Sequence, residues 1–448
     1  GWRPGSVSQG MRSGRAARSS LHPPTSSKSG WLGRVRSFWP SVQAAYRQAA
    51  PPAVLNVVSS GVRAATRAGW SLFVPYLLPV DSYGVYSVFQ TTVTAVTQLA
   101  VLGTPQTILR EPTRELPMAG LFLHSLSIAA LVLLVLGISV ARYDWLFQAL
   151  VAASSITLIL YLQLTMRAKA RFRFAHVLRS EAIGSAAFCA AILTIGIAAW
   201  SLGRGWIDYR LMGGVEILAT AAIVVSLLSG RAGRLTPRER SVRETRRYLP
   251  SVYSVGVVVL LDVIVFRRLE VYFLQESPDG LQGVAVFGLA TQIFNMFLLV
   301  PGAMIEAWGP SFARSFGSGR SEFVQTVQGK LSAYRKLYAL IVISSVCVTP
   351  ILIETIFQKY AAWTWHITAF VAIRVICSYA GFHSATLYAS RRERLLYAPA
   401  AVGAVVAIVG NILLTLRWGV PGAIVAYAMA QFAVAGGAMM AARWSRTR

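Results

Sequence analysis

Acid is scarce in this sequence. Its 17 Asp and Glu stand against 43 Lys and Arg, a formal net charge of +26, and no acidic residue precedes Asp81. Charge of either sign is sparse as well, at 13% of 448 residues, against 55% hydrophobic residues and a mean hydropathy of +0.54. That balance excludes an ordinary soluble domain and indicates an integral membrane protein. The three cysteines, Cys189, Cys347 and Cys377, sit within apolar runs without CxxC or Cys/His spacing, so neither a disulfide framework nor a metal site follows. The five histidines form no ligand pair, and GxSxG, HExxH and P-loop sequences are all missing. An enzyme is not expected, nor a cofactor, nor an ATPase activity. The positive charge would suit nucleic acid, but no aromatic-basic platform stands outside the apolar runs, and no nucleic-acid partner is expected.

What is present is a series of apolar runs long enough to span a bilayer, near residues 54–78, 84–103, 117–140, 145–166, 180–200, 211–229, 249–273, 283–304, 336–357, 361–387, 396–416 and 420–441. Basic residues test that count independently. Thirty-three of the 43 fall in alternate connecting segments and the termini, five in the other loops and five inside the runs. Such asymmetry predicts both termini in the cytoplasm. The expected organisation is a disordered basic cytoplasmic tail over 1–50, a six-helix bundle over 51–230, a basic cytoplasmic linker over 231–247, a second six-helix bundle over 248–443, and a short tail over 444–448. An all-α polytopic membrane protein of about twelve helices follows, its halves related by an axis along the membrane normal. The strings "YGVYSVFQTTV" and "QGVAVFGLATQ", opening the second and eighth runs, carry a faint internal repeat. The basic segment "RAKARFRFAHVLR" reads as a topology signal or an interfacial linker anchored by Phe172 and Phe174.

Charges inside the runs are expensive in hydrocarbon, which makes them transport-site candidates. On the first run Asn56, Ser60, Arg63, Arg67 and Ser71 share one helical face, either a cavity wall for an anion or a snorkelling or structural stripe. The seventh carries Asp262, Arg267, Arg268 and Glu270, where Arg267 and Glu270 can neutralise one another and Arg268 points elsewhere. In the eighth, Gln292, Asn295 and Glu306 lie near one face, with Pro301 and Gly302 expected to break the helix. Arg374 sits midway along the tenth run and Glu216 early in the sixth; each is expected to pair with a charge on a neighbouring helix. Trp308, Trp363 and Trp365 read as interfacial belt residues.

Several strings are familiar. "RAGWSLFVPYLLPVDSYGVYSVFQTTVTAVTQLAVLGTPQTILRE" resembles the first two helices of the polysaccharide or O-antigen flippases, with Tyr83, Gly84, Tyr86, Leu102 and Gly103 at the matching places. "FRRLEVYFL" and "FGLATQIFNMFLLVPGAMIEAWGPSFAR" are similar to that family's helices 7 and 8, with Pro301 and Pro310. "GNILLTLRWGVPGAIVAYAMAQ" is similar to its last two, with Asn411, Gly419, Gly422 and Ala423. The tail before residue 50 has no counterpart there, and the Arg267–Arg268 doublet is more basic than in many relatives. The resemblance implies the multidrug/oligosaccharidyl-lipid/polysaccharide exporter superfamily: two pseudo-symmetric six-helix bundles around a central cavity with alternating access. It also implies residence in the bacterial inner membrane.

The implied activity is movement of a polyprenyl-pyrophosphate-linked oligosaccharide from the cytoplasmic to the outer leaflet, alongside a polysaccharide polymerase and glycosyltransferases. Arginines in a wet cavity would replace the water shell of the pyrophosphate. On this reading Arg63, Arg67, Arg268, Arg374, Asn56 and Asn295 bind substrate, and Asp262, Glu270 and Glu306 are candidates for ion coupling. The alternatives are a cation-coupled multidrug exporter of the same fold, which wants buried carboxylates, and a peptidoglycan-precursor flippase, which in the resembling family usually has two more helices. An embedded glycosyltransferase lacks the extramembrane acidic metal site it would need.

Overall fold

The computed structural model describes residues 51–447 except 111–115, 140–142, 172, 204, 230–235, 237–238, 240–241 and 267–268, and leaves out some side chains within helices. Among the described residues every long element is a helix. In chain order these are α1 (Pro51–Leu77), α2 (Val80–Val101), the short α3 (Thr104–Arg110), α4 (Met118–Ser139), α5 (Trp145–Ala170), α6 (Phe174–Leu202) and α7 (Tyr209–Leu228). There follow α8 (Leu249–Phe266), the short α9 (Leu269–Gln275), α10 (Gly280–Ser318), α11 (Arg320–Thr355), α12 (Thr364–Ser378), α13 (Ala380–Ala389), α14 (Tyr397–Gly410) and α15 (Val420–Thr447). Among the described residues, each of the twelve apolar runs is mainly helix. Seven described stretches, Trp145–Ala170 and Arg320–Thr355 among them, are long and apolar enough by composition alone to cross a membrane.

A bilayer permits only structures that satisfy their backbone internally, which is why apolar runs of this length become helices. Lipid-facing side chains are then as apolar as the core. Leu134, Leu193, Ile197, Leu218 and Ile343 are exposed, while Ser87, Thr91, Thr92, Thr97, Ser155 and Ser345 are buried. Helix starts are set by sequence where the chain leaves the apolar phase. Asp144 caps α5, its carboxylate accepting the Phe147 amide at 2.8 Å, and Asp208 caps α7 through the amides of Arg210 and Leu211, both at 3.0 Å. Arg210 also donates to Asp144, which ties the two caps together.

The helices α1, α2 and α4 to α7 pack on one another, and so do α8 and α10 to α15. Contact between the two sets runs through α10 against α1 and α2, and through α8 against α2 and α3. The α2–α10 contact is made by glycine. A Cβ on Gly84 would lie 2.5 Å from the Leu281 carbonyl oxygen, and one on Gly288 would lie 2.2 Å from Ser87 Oγ. Gly84, Ser87 and Gly288 belong to the two strings of the faint repeat, which therefore pack against each other. At the same end Tyr83 meets Tyr360 edge to face, and Lys359 donates to the Leu78 carbonyl at the close of α1.

Two expectations are corrected. The backbone of α10 continues as helix through Pro301, Gly302 and Pro310 to Ser318, so no break borders a cavity there. Each proline removes one backbone bond, and a helix of 39 residues retains the rest. Trp308 is no belt residue either: its ring packs against Tyr334 and Phe382, with Lys330 Nζ 5.6 Å from its centre. Phe172 and the side chain of Phe174 lie outside the described residues.

Candidate functional site

Arg67 lies ten residues before the end of α1, about 15 Å along the axis at 1.5 Å per residue, which is near the middle of a bilayer core of about 30 Å. Its guanidinium sits 5.4 Å above the Tyr161 ring of α5. The residue is exposed, and among the described residues it makes no hydrogen bond or ion pair. A mid-span guanidinium with open surface faces water or an anion, because hydrocarbon cannot solvate it.

A buried carboxylate and a half-buried one stand around it. Tyr161 donates from its hydroxyl to Glu181 Oε1 at 2.6 Å, and Glu181 on α6 is buried. Glu216 on α7 feels the charge of Arg67 and is held by three donors. Trp70 Nε1 reaches its Oε1 at 2.8 Å, the Tyr86 hydroxyl donates to the same oxygen, and Gln90 Nε2 donates to Oε2. The Glu216 carboxylate is thereby filled from α1 and α2, so it pins these helices to α7 and offers little to a ligand.

In the second half Arg374 on α12 is nearly buried. It donates to Thr291 Oγ1 of α10 at 2.9 Å, and its guanidinium lies 4.3 Å over the Phe294 ring with Phe370 and Tyr427 at 5.6 Å. Glu270, at 0% exposure on α9, lies beside Asn411 and within range of the Arg374 charge. Neither Glu270 oxygen has a hydrogen-bond partner among the described residues. Asn411 opens a π-type segment, Asn411–Thr415, that joins α14 to its last turn; it donates to the Ala407 carbonyl and accepts from Thr415. Such widened turns cluster at functional positions.

No protein-family model and no curated protein sequence matches the chain. Solved structures do. The inward-facing conformation of a multidrug resistance MATE family transporter of the MOP superfamily matches with a TM-score of 0.59 at 14% identity, over 88% of this chain and 98% of that one. The outward-facing conformation matches at 0.61 and 12%, over 88% and 94%. A MATE in complex with MaL6 matches at 0.63 and 12%, over 88% and 95%. The chain has the MATE fold. That fold is twelve helices in two lobes, and it makes this chain a multi-pass membrane protein.

Within the MATE fold the expected site residues separate. Arg67 and Asn295 are exposed on α1 and α10, two helices that pack together across the lobes. Arg374 and Glu270 are buried together in the second lobe. Asn56 and Arg63 on α1, Asp262 on α8 and Glu306 on α10 have helical backbones but undescribed side chains, and Arg268 lies outside the described residues. Glu181, Tyr161 and Gln90 join the site from outside the residues expected on sequence. A carboxylate at the head of the apolar run "SEAIGSAAF" is the same signal that marks Glu216, so Glu181 is recoverable by that rule; Tyr161 and Gln90 give no such signal.

On the basic side of the fold a second charged assembly holds the linker between lobes. Glu239 is 2% exposed, accepts from Arg167 Nε at 2.8 Å and Arg167 Nη2 at 2.9 Å, and forms an ion pair with Arg171 Nη2 at 2.7 Å. It also accepts the Thr236 amide at 2.8 Å, while its own amide donates to Thr236 Oγ1 at 3.3 Å, a reciprocal pair of the capping-box type. The Ala119 amide of α4 donates to the Glu239 carbonyl at 2.9 Å.

Proposed function

We propose that this chain is an alternating-access transporter of the bacterial inner membrane that moves a polyprenyl-pyrophosphate-linked oligosaccharide from the cytoplasmic to the outer leaflet. The observation that carries the reading is Arg67: a guanidinium at mid-bilayer depth, stacked on Tyr161, with no bonded partner among the described residues. An open guanidinium presents a planar fork to phosphate oxygens and sheds water at low cost. The flippase-like strings of the sequence agree with it. Arg63 falls four residues before Arg67 in the sequence of α1, and Asn295 on the packed α10 supplies a polar contact for sugar. The prenyl chain stays in lipid while the head group crosses.

The MATE neighbours titled as multidrug transporters make a cation exporter the second reading. It needs an accessible carboxylate. Glu216 is already filled by Trp70, Tyr86 and Gln90, which weighs against its taking an organic cation. Glu270, buried and without a hydrogen-bond partner among the described residues, is the better candidate for coupling transport to protons, with Asp262 and Glu306 behind it.

The test is translocation by purified protein in liposomes. Wild type should move a fluorescent polyprenyl-pyrophosphate saccharide, Arg67→Ala should lose the activity, and Arg67→Lys should keep part of it because charge remains without the bidentate fork. Transport of ethidium-like cations with no transport of the lipid-linked saccharide would replace this reading with the exporter.

A further inference from the structure

Apart from the transport path, the turn that follows α13 builds a cationic pocket. Arg391, Arg392, Arg394 and Leu395 line a cavity of about 380 Å³ together with Trp444 near the end of α15. Arg392 Nη1 donates to the Ser445 carbonyl at 2.7 Å, which fastens the turn to α15. Glu393, the acid of this turn, is buried, while Arg391 and Arg394 are exposed and make no hydrogen bond or ion pair from their side chains among the described residues.

The backbone gives a separate sign that the Arg391 side chain matters. The Arg392 amide bonds the Leu387 carbonyl at 2.9 Å and the Arg391 amide the Tyr388 carbonyl at 3.1 Å, a Schellman close to α13. In that motif the left-handed residue is usually glycine. Here it is Arg391, with φ of 55°. An arginine is kept where glycine would sit without strain.

The surroundings select the source of the anion. Val425, Met429, Phe432, Met440 and Trp444 are exposed apolar residues of α15, 45 to 67% accessible. At 100° per residue they fall on one arc of about 120°. This stripe runs the length of α15 and ends at the tryptophan of the pocket. An acyl chain lying on the stripe would bring its own head group to the three arginines.

We propose that this pocket binds the phosphate of an anionic phospholipid head group on the basic side of the membrane. Guanidinium forks take the phosphodiester oxygens, and the Trp444 indole sits at the level of the head groups. The site is distinct from Arg67 and does not depend on what is transported.

The experiment uses the full chain in nanodiscs of phosphatidylcholine, with and without a minority of phosphatidylglycerol, and counts retained lipids by native mass spectrometry. Wild type should retain phosphatidylglycerol in preference to phosphatidylcholine. The pair Arg391→Gly with Arg394→Gln should lower that retention by about tenfold or more, the scale of one lost charge-assisted contact. Arg391→Gly relaxes the backbone, so its unfolding midpoint in phosphatidylcholine alone should equal or exceed that of wild type. Arg246→Gln with Arg247→Gln, exposed arginines of the linker, serves as the control and should leave retention unchanged. Equal retention by the pocket variant overturns the proposal, as does equal loss in the control, which would mark a general surface-charge effect. Displacement of the lipid by millimolar inorganic phosphate would make it a free-anion site and overturns it too.

Discussion

Replacing Glu239 by glutamine removes one negative charge from a place where two guanidinium groups have already given up water. The native carboxylate accepts three hydrogen bonds at 2.8 to 2.9 Å, two from Arg167 and one from the Thr236 amide, and pairs with Arg171 Nη2 at 2.7 Å. Glutamine has the same shape but keeps one acceptor oxygen and turns an NH2 group toward N–H donors. Removing one member of a buried ion pair costs about 3 to 5 kcal/mol. The Arg171 side chain keeps 22% of its exposure, which places the expectation near the lower bound, at about 3 kcal/mol. At 1.4 kcal/mol per decade that is roughly a hundredfold rise in the open clamp.

Hydrogen exchange reads the clamp directly, because the Ala119 amide is bonded to the Glu239 carbonyl and the Thr236 amide to its carboxylate. Both amides should exchange about a hundredfold faster in Glu239→Gln, while amides in the middle of α5 keep their protection. Acid should do the same to wild type. Burial pushes the Glu239 carboxyl up, but the Arg167 hydrogen bonds, the Thr236 amide and the charges of Arg167 and Arg171 outweigh it and hold it below its ordinary 4.5. A depressed native value means the stabilisation is complete above the unfolded value and is lost as pH falls through the native one. Opening therefore starts below about 4.5 and not near neutrality. Unchanged exchange of both amides in Glu239→Gln would refute a clamp held by charge.

Other outcomes follow from the same geometry. Gly288→Ala places a methyl group 2.2 Å from Ser87 Oγ, so thermal stability should fall by about 1 to 3 kcal/mol, and adding Ser87→Ala should restore part of it; additive losses would deny the contact. Glu216→Ala strands the Trp70, Tyr86 and Gln90 donors and should lower the unfolding midpoint, whereas Glu216→Gln should lower it less; equal and negligible effects would remove the structural role assigned to this residue. Reporter fusions near Asp81 and Asp279 are expected outside and a fusion after residue 235 inside, and an external signal from the last would reverse the orientation drawn from the basic segments.

The spans were legible because a bilayer imposes a length and a polarity on each of them, and both can be read along one dimension. Arg67 was legible for the same reason: a cation inside an apolar run stands out against its neighbours. The Glu239 clamp was not. Arg167 and Arg171 count as topology signals along the chain, and nothing across the 72-residue separation of Arg167 and Glu239 links them. Pro301 misled in the other direction, since the local loss of one bond says little about a helix of 39 residues. Glu216 was visible as a charge, but its saturation depends on Trp70, Tyr86 and Gln90, which belong to two other helices.

The glycine contact between α2 and α10 has an electrical consequence. Gly84 meets the Leu281 main chain and Gly288 meets Ser87, so parting these helices there displaces no formal charge. The work done by a membrane potential is proportional to the charge moved, about 2.3 kcal/mol per elementary charge per 100 mV. The seam contact itself therefore contributes no gating charge. On the proposed transport reading, any voltage dependence would have to arise from deep ionised groups such as Arg67 and Glu270 or from the cargo itself.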